Sequence, residues 1–177
     1  YPANRPFSIE PVVIAFLLLI VLVPALVSLG RLLQKKEGWA LAIAYWILYP
    51  CQLILFNFSN STLESLVRSD GCNSYYSPIL KYSAWDFLTR FYEITPTLPP
   101  HAVTNMPGKI LFFHFLSVFT SSPEVMAHLI ILLSNLGAVL AYFVAKKLFK
   151  NQLAAFYVMI LYFFVPPKIY FFPLLNA

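Results

Sequence analysis

Residues 11–30 run for 20 positions without a charge, and no other feature limits the fold as strongly. A run of that length crosses the roughly 30 Å hydrocarbon core of a bilayer as a helix. It recurs at 39–58, 125–145 and 151–167. Hydrophobic residues make up 60% of the 177 and charged residues 11%, against about 45–50% and 25% in soluble domains. A soluble globule would lack polar surface, and disorder fails for the same reason. Twelve Lys and Arg against seven Asp and Glu would fit a nucleic-acid partner in a soluble chain. Here the cations lie at the ends of apolar runs, where they flank membrane segments. The expected class is therefore all-α, a polytopic transmembrane protein with about five membrane segments.

The segments differ in quality. Pro24 interrupts the first run, which membrane helices tolerate where neighbours satisfy the freed carbonyl. Trp39, Tyr45, Trp46 and Tyr49 give the second run aromatic anchors. Residues 110–123 are apolar but only 14 long, short for a span, so they either extend through Pro107 and Gly108 with Lys109 snorkelling or form a re-entrant segment. The run at 151–167 is broken by Pro166 and Pro167. Residue 1 is Tyr and the chain stops directly after an apolar run, so the expectation is a single transmembrane domain over 1–177 that forms the N-terminal part of a longer chain.

A polar segment, 59–106, separates the second run from the third. Its 60–76 stretch is rich in Asn, Ser and Asp and reads as loop. Ser77 and Pro78 then offer an N-cap and an N1 proline. Ile79, Tyr82, Trp85, Leu88, Phe91 and Tyr92 follow at spacings of three and four. This predicts one amphipathic helix over 77–94, lying in the membrane interface or packed on other helices, with Trp85, Leu88 and Tyr92 covered and Lys81 facing water or headgroups. Asp86 and Arg90 are set to pair one turn apart. Pro96, Pro99 and Pro100 are expected to force extended chain. Arg31, Lys35 and Lys36 place the first short loop in the cytoplasm, which puts 59–106 outside. Lys146, Lys147 and Lys150 then face outside if 110–123 spans and inside if it is re-entrant.

No Gly-rich phosphate loop, CxxC, HExxH or GxSxG occurs. Cys51 lies in a span and Cys72 in the loop, positions that fit packing better than a disulfide. His114 and His128 flank one apolar hairpin, where hydrogen-bonded helix histidines are commoner than metal ligands. Asp70 is the distinctive residue. It follows the second span within the Ser69–Tyr76 sequence SDGCNSYY, where a carboxylate at the water–lipid boundary can act as general base on an acceptor hydroxyl. A solvated turn residue would look the same.

The wider arrangement resembles the GT-C superfamily of membrane glycosyltransferases, which includes mannosyl- and arabinosyltransferases. In that superfamily an acidic residue sits in the first long outside loop, followed by juxtamembrane helices. Many prokaryotic members then carry a His-x-x-Thr-His-Pro-Pro-Gly-like element at the next span. His101, Thr104, Pro107 and Gly108 fit it, while Asn105 stands in place of the second His and Met106 in place of the first Pro. Residues 149–151 and 165–177 are similar to later spans of the family, with Asn176 where many members have an acid. The resemblance covers residues 39–177, and the first span would be an N-terminal addition.

The resemblance implies transfer of a sugar from a polyprenyl-phosphate donor to an acceptor on the outer face of a prokaryotic plasma membrane. Asp70 would be the base. Lys81, Arg90 and Lys109 would hold the donor phosphate, and Tyr75, Tyr76, His101 and Asn105 would complete the substrate site. Superfamily members with and without a divalent metal are known, so metal use stays open. The partners are then membrane lipid and the lipid-linked sugar, not nucleic acid. The main alternative is a non-catalytic transmembrane subunit of a larger complex. A transporter would need ionisable residues within its spans, and only the two His qualify.

Overall fold

The computed structural model describes residues 9–57, 61–69, 75–104, 107–165 and 168. All regular structure among them is helical. Two compact units emerge, one from Tyr1–Ser59 with Asn135–Ile169, the other from Asn60–Ser134 with Tyr170–Ala177.

The first unit holds α1 (Glu10–Leu33), α2 (Glu37–Phe56), the second half of α9 (Pro123–Phe149) and α10 (Gln152–Phe163). Three helices, α1, α2 and α9, are long and apolar enough to cross a membrane, and the chain is an integral membrane protein on that ground. Each is placed by its ends. Pro11 opens α1 behind Glu10, and Arg31 lies in its last turn, signs that suit the helix dipole. Pro24 leaves the carbonyl of Ile20 without its helical donor, and Ser28 donates to Pro24 O at 2.9 Å. In α2 the buried positions Ala40, Leu41, Ala44, Leu48, Cys51, Gln52 and Phe56 recur at helical spacing.

Polar contacts fix the helix directions in this unit. Glu37, at the start of α2, meets Lys146 near the end of α9. Gln52, fifteen residues along α2, meets Asn135, eleven residues back along α9. The two helices therefore run antiparallel. Gln152 at the start of α10 donates to Leu33 O, and Phe163 at its end accepts from Gln52, so α10 runs parallel to α2. Gly137 lets α10 come close, because a Cβ there would lie 3.0 Å from Tyr162 Cζ.

The second unit is built from short helices: α3 (Leu63–Arg68), α4 (Tyr76–Ile79), α5 (Ala84–Thr89), α6 (Phe91–Ile94), a 3-10 turn over Thr95–Thr97, α7 (Pro100–Thr104), α8 (Gly108–Ser117) and the first half of α9. Several expectations change here. The 60–76 stretch contains α3, nucleated by a capping box between Thr62 and Ser65. The single helix over 77–94 is three pieces. The first begins at Tyr76 rather than behind a Ser77 cap. Ser83, in extended backbone, restarts the helix through a capping box with Asp86, and Arg90 at φ −127° separates α5 from α6. Pro96 and Pro100 lie in the first turn of short helical pieces, so the extended chain expected at these prolines is confined to Leu98, ahead of Pro99.

The short apolar runs are also settled in length. α8 has 10 residues, which rise about 15 Å, and the chain turns at 118–122 before α9 begins. α10 has 12 residues, about 18 Å, ending at Phe163 with Pro166 and Pro167 outside the described residues.

Candidate functional site

Asp70 and Asn105 lie outside the described residues, so the expected base and one expected substrate contact have no geometry here. The other six candidates all fall in the second unit, on or beside α4, at the α5–α6 junction, and on α7 and α8.

Tyr75 and Tyr76 are interior residues, 1% and 5% exposed. Tyr75 stacks on Phe113 with a centroid separation of 6.5 Å, and Tyr76 meets the same ring edge-on at 6.3 Å. Both rings pack on Phe113 in this conformation. Each also has a cation beside it. Lys109 Nζ lies 5.3 Å from the Tyr75 centroid and Arg68 Cζ 5.7 Å from that of Tyr76, within cation–π range. Tyr76 Oη also donates to Ser121 O at 3.4 Å. Tyr75 Oη is buried without a hydrogen-bond partner.

Arg90 is already committed. Its Nε donates to Glu93 at 2.8 Å and its Nη1 stands 3.7 Å from Asp86. Glu93 first, and Asp86 after it, holds the guanidinium pKa above its ordinary value. Asp86 takes its main partner from its own cap, with Ser83 Oγ donating at 2.7 Å and Ser83 N at 2.9 Å. Those bonds, with Arg90 contributing less, hold its carboxyl below the usual carboxylate range.

Lys81 is different. It is exposed, has no ion-pair partner among the described residues, and lines a groove of about 410 Å³ with Ser77, Tyr82, Thr97 and the prolines 78, 96, 99 and 100. Tyr82 Oη and Thr97 Oγ1 bridge it at 2.7 Å. His101 follows the groove wall directly on α7 and is exposed. No family model matches the chain, and no curated protein or solved structure matches it. Whatever the groove does must therefore be argued from its chemistry, which is one ammonium over a half-polar wall, suited to an anionic group carried by a partly apolar molecule.

Three findings escaped the residue pattern. Trp85, Leu88 and Tyr92 are 70%, 61% and 86% exposed, while Phe87 is fully buried and Ile94 nearly so. The stripe thus points away from the protein, and the helix is anchored by the residues between. His114 is the second. It rests 5.7 Å from the Phe87 ring; burial pushes its pKa down, against a hydrogen bond that the imidazole donates to the Tyr82 backbone, and its Nε2 is buried without a partner. The third is the inter-helix amide pair of the first unit, Gln52 with Asn135, both 0% exposed. Among the described residues no three His, Cys, Asp or Glu stand together as metal ligands.

Proposed function

We propose that the chain is a GT-C-like membrane glycosyltransferase, moving a sugar from a polyprenyl-phosphate donor to an acceptor on the non-cytoplasmic face. The observation that carries this reading is the Lys81 groove on the segment between α2 and α9. A phosphate at a membrane surface needs a cation not already neutralised. Of the three candidates, Arg90 is engaged by two carboxylates, Lys109 lies over the Tyr75 ring, and Lys81 lines the groove, so Lys81 is the donor-phosphate contact in this reading. Trp85, Leu88 and Tyr92 supply an apolar face for the bilayer interface beside it.

The orientation has its own support. α2 and α9 run antiparallel, and the described residues of the segment joining them contain no helix long enough to cross. That segment therefore returns to the side it left. The opposite ends carry Arg31, Lys35, Lys36, Lys146, Lys147 and Lys150, an excess that belongs in the cytoplasm. Residues 59–106 then face outside, with 110–123 not crossing.

The test is sugar transfer from a prenyl-phosphate donor in membranes, with expression matched. Asp70→Asn keeps shape and removes basicity, so activity should fall by roughly 10²–10⁴. Lys81→Gln should raise the donor KM, and Asp86→Asn, which weakens the Ser83 cap and the Arg90 pair, should retain activity. Near-normal transfer by Asp70→Asn would remove Asp70 from the mechanism. One observation favours the second reading, a non-catalytic subunit: only 11% of the α1 span is buried, against 44% for α2, which leaves most of α1 available to another helix.

A further inference from the structure

The end of α1, the start of α2, the end of α9 and the start of α10 meet at one end of the first unit, and polar contacts hold them there. Lys146 Nζ donates to both Glu37 oxygens at 2.7 Å, Tyr142 Oη donates to Glu37 at 2.9 Å, and Gln152 Nε2 donates to Leu33 O at 3.3 Å. This arrangement gathers six cations, Arg31, Lys35, Lys36, Lys146, Lys147 and Lys150, around one carboxylate, Glu37, which Lys146 already occupies. The other five cations are exposed and have no ion-pair partner among the described residues. They stand at or within a turn of the ends of three helices long enough to span, which places them at the level of the lipid headgroups.

Lys150 adds an independent observation. Its φ is +51°, and it is the non-glycine residue with positive φ among those described. It closes α9, with its N–H donating to Lys146 O at 3.0 Å. Glycine is the usual residue at such a helix end because a Cβ is strained there. The chain keeps a lysine in spite of the strain, and strain retained at one position points to a use for the side chain.

We propose that this basic collar binds the headgroups of anionic phospholipids in the leaflet it faces. Ammonium groups pair with phosphodiester oxygens, and a net-neutral headgroup offsets that attraction with its own cation. Juxtamembrane clusters of four to eight Lys and Arg draw acidic lipids with a gain of roughly fivefold for each cation. The contact is independent of the transferase reading and would serve a subunit equally.

The purified chain in detergent, titrated with phosphatidylglycerol or phosphatidylcholine, is read by native mass spectrometry as lipid retained. Phosphatidylglycerol should be retained at lower concentration, with the preference shrinking at high salt. The triple variant Lys35→Gln, Lys147→Gln, Lys150→Gln should bind it roughly 100-fold more weakly, three steps of about fivefold, with phosphatidylcholine unchanged. Lys150→Gly should weaken it about fivefold while keeping or raising thermal stability, a combination that a purely structural lysine would not give. Arg68→Gln, in the second unit, should leave it unaltered. Equal retention of the two lipids by the native chain, or an unaltered triple variant, overturns the proposal. Full displacement by a soluble polyanion of matched charge overturns it in favour of a soluble partner.

Discussion

Gln52 and Asn135 are wholly buried between helices that face lipid, where an amide without partners is costly. Gln52 answers two needs at once. Its Nε2 donates to Phe163 O at 2.7 Å, satisfying a carbonyl at the end of α10, and its Oε1 accepts from Asn135 Nδ2 at 2.6 Å. Asn135 Oδ1 is left without a partner. Gln52→Leu strands two groups and should lower stability by about 1–3 kcal/mol, whereas Asn135→Leu strands one and removes an atom already unsatisfied, so it should cost less. Interhelical hydrogen bonds in membranes average about 0.6 kcal/mol and reach about 1.7, so the double variant should fall short of the sum by that order. Thermal unfolding of the four proteins in one detergent measures it, and strictly additive losses would show that the pair does not act as one. Sequence told which residues sit inside spans, but not that these two, 83 positions apart, would meet. The same limit hid the contacts of Tyr75 and Tyr76 with Phe113, 37 or more positions away in the chain.

At the level of elements, length and charge-free runs located α1, α2 and α9 to within a few residues, because nothing but a helix satisfies the backbone in lipid. The polar segment was read less well. A spacing of three and four continues smoothly from Ile79 to Tyr92, yet Ser83 stops one helix and starts the next. Its hydroxyl and backbone N–H both bond Asp86, and that local bond competes with helix continuation. Ser83→Ala should destabilise α5 by about 1 kcal/mol. The carboxylate adds a pH dependence whose sign follows from its depressed pKa. Such a group stabilises the folded state above its unfolded pKa, and the contribution is lost as pH falls through the lower folded value, here in the acid range below about 4. Amide exchange at Asp86 and Phe87, corrected for intrinsic rates, should therefore be steady from neutral pH to about 5 and accelerate below that. Ser83→Ala should be faster throughout and lose most of the acid step. Equal protection in both proteins would deny the cap its role.

For the whole chain, charge alone left Lys146, Lys147 and Lys150 undecided between two sides, because the crossing count turned on residues 110–123. Helix direction supports one of the two. The Glu37–Lys146 and Gln52–Asn135 contacts make α2 and α9 antiparallel, α8 rises only about 15 Å, and no further helix of spanning length lies between them among the described residues. On the proposed reading the segment joining these antiparallel spans does not cross, so it lies on one side of the membrane and their other ends on the opposite side. The joining segment carries Ser61, and the far ends carry Lys35 and Lys147. With single cysteines in a Cys-free background, an impermeant maleimide should label Ser61→Cys in intact cells or right-side-out vesicles. Lys35→Cys and Lys147→Cys should react only after permeabilisation, in keeping with cations retained in the cytoplasm. Labelling of Lys35→Cys and Lys147→Cys from different sides would mean that α8 completes a crossing, and the collar would be divided between two leaflets. Labelling of all three from outside would mean that α2 does not cross, and the Lys81 groove could not then be assigned to the outer face.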